Sequence, residues 1–156
     1  MQTITTFLTF NNQAEEAANF YTSIFSNSKI VRVTHYGEEA PMPKGSVMSV
    51  TFQLDGQEFI ALNGGSYFTF SEGISLFVDC KSQAEVDTYW ERLSEGGAKG
   101  PCGWLKDKFG VSWQVAPSAL DNMLQDEDPK KAQQVMAAMM NMSKIDIQQL
   151  EEAYAA

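Results

Sequence analysis

The clearest pattern in the chain lies between Val47 and Leu54, where Met48, Val50, Phe52 and Leu54 alternate with Ser49, Thr51 and Gln53. Successive side chains of a strand point to opposite faces, so this period predicts a strand with one apolar and one polar face. Asp55-Gly56 follows, a dipeptide suited to a two-residue hairpin turn, and Glu58 to Asn63 returns as the partner strand. Upstream, residues 3–10 read as a first strand and Ile30 to Tyr36 as another. Between them Ala14, Ala17, Ala18, Tyr21, Ile24 and Phe25 recur at three- and four-residue spacing. That spacing predicts a helix with one face against a sheet, and Asn12, with Glu15 three positions on, is its expected cap. Pro41 and Pro43 mark residues 37–45 as a loop.

The same order then returns. Ile4, Phe7 and Gln13-Ala14-Glu15 recur at one constant offset as Ile74, Phe77 and Gln83-Ala84-Glu85, the mark of a duplicated module. After Gly64-Gly65, Ile74 to Asp79 is expected as a strand and Ser82 with Glu85 as a capping box. Val86, Tyr89, Trp90 and Leu93 supply the buried stripe of the helix that follows. Gly100 to Lys106 and Val111 to Val115 read as strands joined by Asp107-Lys108-Phe109-Gly110. From Pro117 the period becomes helical throughout. Helices are expected over Ser118 to Leu124, over Pro129 to about Met142 behind Asp128, and over Ile147 to Tyr154 behind Asp146. The expected class is therefore α+β, two strand-helix-strand-strand-strand modules followed by a helical tail.

Composition narrows what such a domain can do. At 156 residues, 44% hydrophobic and 20% charged, the chain has the makeup of about one globular domain rather than of a disordered or fibrous protein. Twenty acidic residues against eleven basic ones leave a net charge of −9, with no run of Lys or Arg to offset it. Such a surface repels phosphate backbones, so nucleic acid is excluded as an expected partner. No apolar run approaches bilayer length, and the Thr-interrupted N-terminus is unlike a secretory signal, so no membrane partner is expected. Cys80 and Cys102 form no disulfide framework, which fits reduced thiols in the cytoplasm.

Leu62-Asn63-Gly64-Gly65, the run Cys102-Gly103-Trp104-Leu105-Lys106-Asp107-Lys108-Phe109-Gly110-Val111-Ser112-Trp113-Gln114 and the tail Met142-Ser143-Lys144-Ile145-Asp146-Ile147 carry a resemblance. They resemble the PhnB-like (3-demethylubiquinone-9 3-methyltransferase-like) branch of the vicinal-oxygen-chelate superfamily, which includes glyoxalase I, bleomycin-resistance proteins and extradiol dioxygenases. The resemblance implies two βαβββ modules that form an open eight-stranded, glyoxalase-like cup with helices outside. It places the vicinal-oxygen-chelate domain at 1–116, with repeat one at 1–66 and repeat two at 72–116, and makes 117–156 a C-terminal helical extension of the same domain. It also implies a homodimer. If Met48, Val50, Phe52 and Leu54 pack beneath the helices, Ser49, Thr51 and Gln53 face the cup.

Superfamily members that bind a metal draw His, Glu or Gln from the first and last strands of each half. Thr3 to Phe10 contains none of these, and Ile74 to Asp79 offers only Asp79. Gln114 stands where metal-binding relatives often carry Glu, and Glu58 lies at the edge of the fourth strand. A divalent cation needs about four to six N or O donors at ~2 Å, so no metal is expected. Neither is a nucleoside cofactor, because no glycine-rich strand-to-helix turn is followed by an acidic residue.

The expected ligand pocket comprises Ser49, Thr51, Gln53, Asn63, Phe68, Cys102, Trp104 and Gln114. Gln114 is either a hydrogen-bonding group on the inner face or a structural amide, and Asn63 either meets a ligand or organises its turn. Trp113 alternates with Gln114 and should face the opposite way, which leaves Trp104 as the better pocket aromatic. Cys102 is expected as a buried or cavity-lining thiol, and the lone His35 as an exposed residue at a strand end. Met136, Met139, Met140 and Met142 form either a packed helix face or a dimer surface. The function expected is that of a cytoplasmic small-molecule-binding protein of the PhnB-like glyoxalase and bleomycin-resistance type, with no catalytic residue and no reaction assigned. The alternatives are a metal-dependent lyase, isomerase or dioxygenase, and a non-catalytic, resistance-type protein that sequesters its ligand.

Overall fold

The computed structural model describes residues 2–156. The chain divides into two compact units, one ending at Thr69 and the other beginning at Phe70. The first contains β1 (Thr6–Phe10), α1 (Ala14–Ile24), β2 (Lys29–His35), β3 (Val47–Leu54) and β4 (Gln57–Asn63). They form one open four-stranded sheet in the order β1-β4-β3-β2, with β1 parallel to β4 and the remaining pairs antiparallel. Val50, Phe52 and Leu54 are buried on the face that α1 covers, as their alternation predicts. Ala14, Ala17 and Ala18 are fully buried, and their small side chains let the helix lie close to the sheet. Tyr21 reaches between them to stack on Phe52, with ring centroids 6.1 Å apart, and Phe52 stacks in turn on Phe59 at 5.6 Å. Burying rings of this size stabilises the unit by about 1.5–3 kcal/mol each. Asp55 (φ 48°) and Gly56 (φ 78°) turn the β3–β4 hairpin with both central residues in the left-handed region, where glycine is at home.

Two local expectations are corrected in this unit. β1 begins at Thr6 rather than at residue 3, and Ile4 is 85% exposed. The cap expected at Asn12 is absent: α1 starts behind Gln13, which makes no side-chain capping bond. The orphan N–H of Ala14 is taken instead by Oδ1 of Asn63 at 2.9 Å, from the far end of β4. The Asn63 amide also donates to the Val47 carbonyl at 3.1 Å, and its backbone carbonyl accepts from the Tyr36 hydroxyl.

The second unit repeats the plan with β5 (Leu76–Cys80), α2 (Gln83–Ser94), β6 (Ala98–Lys99), β7 (Trp104–Lys106) and β8 (Ser112–Pro117), in the sheet order β5-β8-β7-β6. The expected single strand over Gly100 to Lys106 is broken by a turn at Pro101–Trp104, so the module has its four strands, two of them very short. Cys102 (φ 57°) and Gly103 (φ 85°) occupy the turn's centre. A Cβ on Gly103 would come within 2.6 Å of the Val115 carbonyl, so close an approach of two backbones admits only glycine. Here the helix caps itself: Ser82 Oγ accepts from the Glu85 N–H at 3.2 Å, and Glu85 returns to the Lys81 N–H at 2.9 Å.

Three further helices complete this unit, α3 (Ser118–Leu124), α4 (Pro129–Met140) and α5 (Ile147–Ala155), with α4 ending two residues before the expected Met142. Asp128 and Asp146 cap α4 and α5 as the sequence predicts. The tail is anchored by the segment 142–147. Gln83 of α2 donates to the Ile145 carbonyl at 3.0 Å and accepts from the Ile147 N–H at 2.8 Å, while Lys144 pairs with Asp87 at 2.9 Å. The turn at 101–104 holds the same segment, its Cys102 and Gly103 N–H groups donating to the Met142 and Ser143 carbonyls. Ile145 is fully buried at the junction.

Candidate functional site

Residues in register on neighbouring strands share a face of the sheet. In the second unit Phe77 of β5 registers with Gln114 of β8, and Gln114 registers with Trp104 of β7. The three side chains form a row across the face opposite α2, with Asp79 and Ala116 on the next same-face rung. β8 turns directly into α3 at Pro117–Ser118, which brings Leu120, Asp121 and Leu124 over this row. Met139 of α4 and Cys102 of the 101–104 turn close the sides. The result is a cavity of about 480 Å³, a size suited to a small organic molecule.

Trp113, the neighbour of Gln114, lies on the other face. Its indole N–H donates to Oδ2 of the buried Asp107 at 2.9 Å, while Oδ1 of the same carboxylate takes the N–H groups of Phe109 and Val111 at 2.9 and 3.0 Å. This buried anchor fixes the pleat of β8 so that Gln114 faces the cavity. The Gln114 amide donates one N–H to Ser75 Oγ at 2.9 Å, which orients it and leaves its carbonyl oxygen available to a ligand.

At the rim, Asp79 accepts from Lys81 Nζ at 2.7 Å and from Ser118 Oγ at 2.6 Å. The Lys81 ammonium, then the Ser118 hydroxyl, hold the carboxyl below its usual range, and Asp79 in turn raises Lys81. Lys81 also reaches Ser118 Oγ at 3.1 Å, but an ammonium stabilised in its charged form cannot take the hydroxyl proton. The cluster is thus an ion-pair clamp rather than a nucleophile and its base. Cys80, buried on the opposite face of β5, has its thiol pushed up to about 12 by burial and then by the Glu85 and Asp79 carboxylates, so it stays protonated. Cys102 Sγ stands 3.8 Å from the Met140 thioether, which cannot serve as its base.

Of the residues picked from the sequence, Cys102, Trp104 and Gln114 meet in this one cavity. Ser49, Thr51 and Gln53 lie in the first unit, on the β3 face opposite Val50 and Phe52, in register with Leu62, Ile60 and Glu58. Asn63 is buried with its amide committed to Ala14 and Val47, and Phe68 is 56% exposed on the segment after β4. His35 is exposed at the end of β2. The methionines divide: Met142 is buried, Met139 lines the cavity, and Met136 and Met140 are exposed. Phe77, Asp79, Asp121 and Met139 were absent from the expected pocket. Phe77 and Asp79 could have been found by extending the alternation of β5, whereas nothing local places Asp121 or Met139.

Among the described residues no three His, Cys, Asp or Glu side chains gather closely enough to hold a metal ion. Gln114 with Asp79, whose oxygens already serve Lys81 and Ser118, is a poor donor set for a divalent cation. The strand-to-helix connections 11–13 and 81–82 contain no glycine, so neither forms the cradle that a nucleoside cofactor would need. The residues present fit neither group.

Residues 2–116 match the family model for 3-demethylubiquinone-9 3-methyltransferase. Among solved structures the chain is similar to a PhnB protein from Bacillus cereus, with 43% identity and a TM-score of 0.67 over 75% of this chain and 100% of that one. A Pseudomonas aeruginosa protein is similar at 22% identity and a TM-score of 0.62, covering 75% and 98%. The fosfomycin resistance protein FosX from Mesorhizobium loti is similar at 14% identity and a TM-score of 0.58, covering 80% and 98%. At these two lower identities the likeness concerns the fold alone. No curated protein matches the chain. The family match ends where α3 begins, so the cavity's floor lies inside it and its roof outside.

Proposed function

The chain belongs to the 3-demethylubiquinone-9 3-methyltransferase family, of PhnB-like glyoxalase fold, and on that premise we propose that it binds a small organic molecule in the cavity over β5, β7 and β8. The observation that carries this reading is the row Phe77–Gln114–Trp104, two aromatic rings flanking one amide beneath a helical roof. Aromatic and apolar side chains with a few oriented polar groups among them are how proteins commonly hold small ligands. Residues 117–156 act as part of the same domain, since they supply that roof. Ser49, Thr51 and Gln53 are the corresponding polar face of the first module and a second place for ligand contacts.

The reading is one of binding, with no reaction assigned, because the Ser118 and Cys102 side chains have neighbours that restrain rather than activate them. A thermal-shift screen of metabolites and antibiotics tests it. A ligand that raises the melting temperature of the wild type and fails to do so with Gln114→Leu supports the cavity, whereas a screen in which nothing raises it refutes the reading. Recovery of a chemically altered compound after incubation would turn the protein from a sequestering module into an enzyme.

We also propose a homodimer that works in the cytoplasm. β1 and β5 are edge strands with one side unpaired; the repeated residues Ile4 and Ile74 just ahead of them are 85% and 75% exposed, and Phe7 on β1 is 55% exposed. Apolar side chains along a free strand edge favour pairing with a second copy. Light scattering should give twice the monomer mass, and a monomer at all concentrations would remove the proposal. Both cysteines are unpaired, as suits a reducing compartment, and among the described residues no helix is long and apolar enough to cross a membrane.

A further inference from the structure

We propose that the ligand of this cavity is an organic cation, a protonated amine or quaternary ammonium carried on a flat apolar body. This rests on the reading that the cavity over β5, β7 and β8 is the binding site, and it names the class of molecule that enters. Two carboxylates line the cavity, Asp79 and Asp121, and no Lys, Arg or His does. Lys81 offsets Asp79 from outside, so the pair contributes little net charge. Asp121 remains: its Oδ2 accepts from Gln125 at 2.9 Å, and its other oxygen accepts none of the described hydrogen bonds. Trp104 and Phe77 also line the cavity, and aromatic rings attract cations over their faces.

The amide points the same way. Gln114 has given one N–H to Ser75, which orients the amide, and its carbonyl oxygen can accept from an ammonium N–H, whereas an anion entering the cavity would meet the Asp121 carboxylate. The chain's net charge of −9 draws cations toward its surface at longer range and repels anions. Asp121 and Met139 come from helices beyond the segment that matches the family, so this charge preference belongs to the roof of this chain's cavity rather than to the shared floor.

Three probes of one skeleton separate the possibilities by isothermal titration calorimetry: tryptamine, tryptophol and indole-3-acetate, which are cationic, neutral and anionic at pH 7. Tryptamine is expected to bind about two- to fivefold more tightly than tryptophol, the scale of a cation over aromatic rings at an exposed site, and indole-3-acetate most weakly. Asp121→Asn should cut tryptamine affinity about two- to fivefold, the scale of an exposed ion pair, and leave tryptophol unchanged. Equal binding of tryptamine and tryptophol, or preference for the anion, overturns the cation assignment while leaving the cavity as a binding site. If the variant leaves the preference intact, the cation is held elsewhere and the assignment fails. If none of the three binds at millimolar concentration, the cavity reading falls along with it.

Discussion

Asp107→Ala should remove the device that orients β8 and should cost a large part of the protein's stability. The carboxylate is 3% exposed and accepts hydrogen bonds from the Phe109 and Val111 N–H groups and from the Trp113 indole. Truncation leaves the buried Val111 and Trp113 donors without that acceptor, each at about 1–3 kcal/mol, whereas the half-buried Phe109 N–H can turn to water. Relief of the buried charge returns part of that, so the net loss is about 3–4 kcal/mol, against a typical total of about 5–15 kcal/mol. Asp107→Asn keeps the shape but replaces an accepting oxygen with an N–H₂ group that must face a donor, so it should rescue little. Urea unfolding followed by tryptophan emission measures both, with the slope checked for constancy. A loss below about 1 kcal/mol in the alanine variant, or an asparagine variant as stable as the wild type, would refute the idea that this carboxylate sets the pleat.

The other expectations are briefer. Gly103→Ala forces a Cβ to within 2.6 Å of the Val115 carbonyl at φ 85°, and should lower stability by about 2–4 kcal/mol in thermal unfolding; an unchanged melting temperature would show that the turn relaxes freely. In the native protein at pH 8, alkylation followed by mass spectrometry should label Cys102 and spare the fully buried Cys80, with both labelled after denaturation; rapid native labelling of Cys80 would contradict its burial. The same thiol gives a pH dependence. Its pKa rises from 9.0 to about 12 on folding, so above pH 9 the unfolded chain sheds a proton that the folded one keeps, and stability falls as pH rises from 9 toward 12. Cys80→Ala should flatten that decline, and an identical profile would assign it to other groups. At the acid end Asp87 is held low, chiefly by its hydrogen bond from Lys144. Its contribution is present above the unfolded carboxyl value near pH 4 and lost as pH falls through the lower folded one. With both side chains more than a third exposed the effect is small, and Lys144→Met should lessen the acid loss only slightly.

What the sequence determined alone is what depends on neighbours along the chain. The alternation of Val50, Phe52 and Leu54 reports strand geometry directly, and Ser82, Asp128 and Asp146 cap helices through N–H groups two or three residues away. The duplication of Ile4 and Phe7 as Ile74 and Phe77 showed the two modules, and the alternation of Trp113 with Gln114 showed which of them faces inward. The tertiary structure decided whatever joins distant positions. Asn63 replaces the expected cap of α1 from 49 residues away, a bond no local pattern encodes. The strand expected over Gly100 to Lys106 breaks because Cys102 adopts a positive φ while its N–H and that of Gly103 serve the tail's carbonyls. Gln83 pins that tail at Ile145 and Ile147, and the second unit's helices bring Asp121 and Met139 over Gln114. Local period follows from backbone geometry that each residue carries with it; a cavity follows from hydrogen bonds and burial between segments whose meeting only the folded chain reveals.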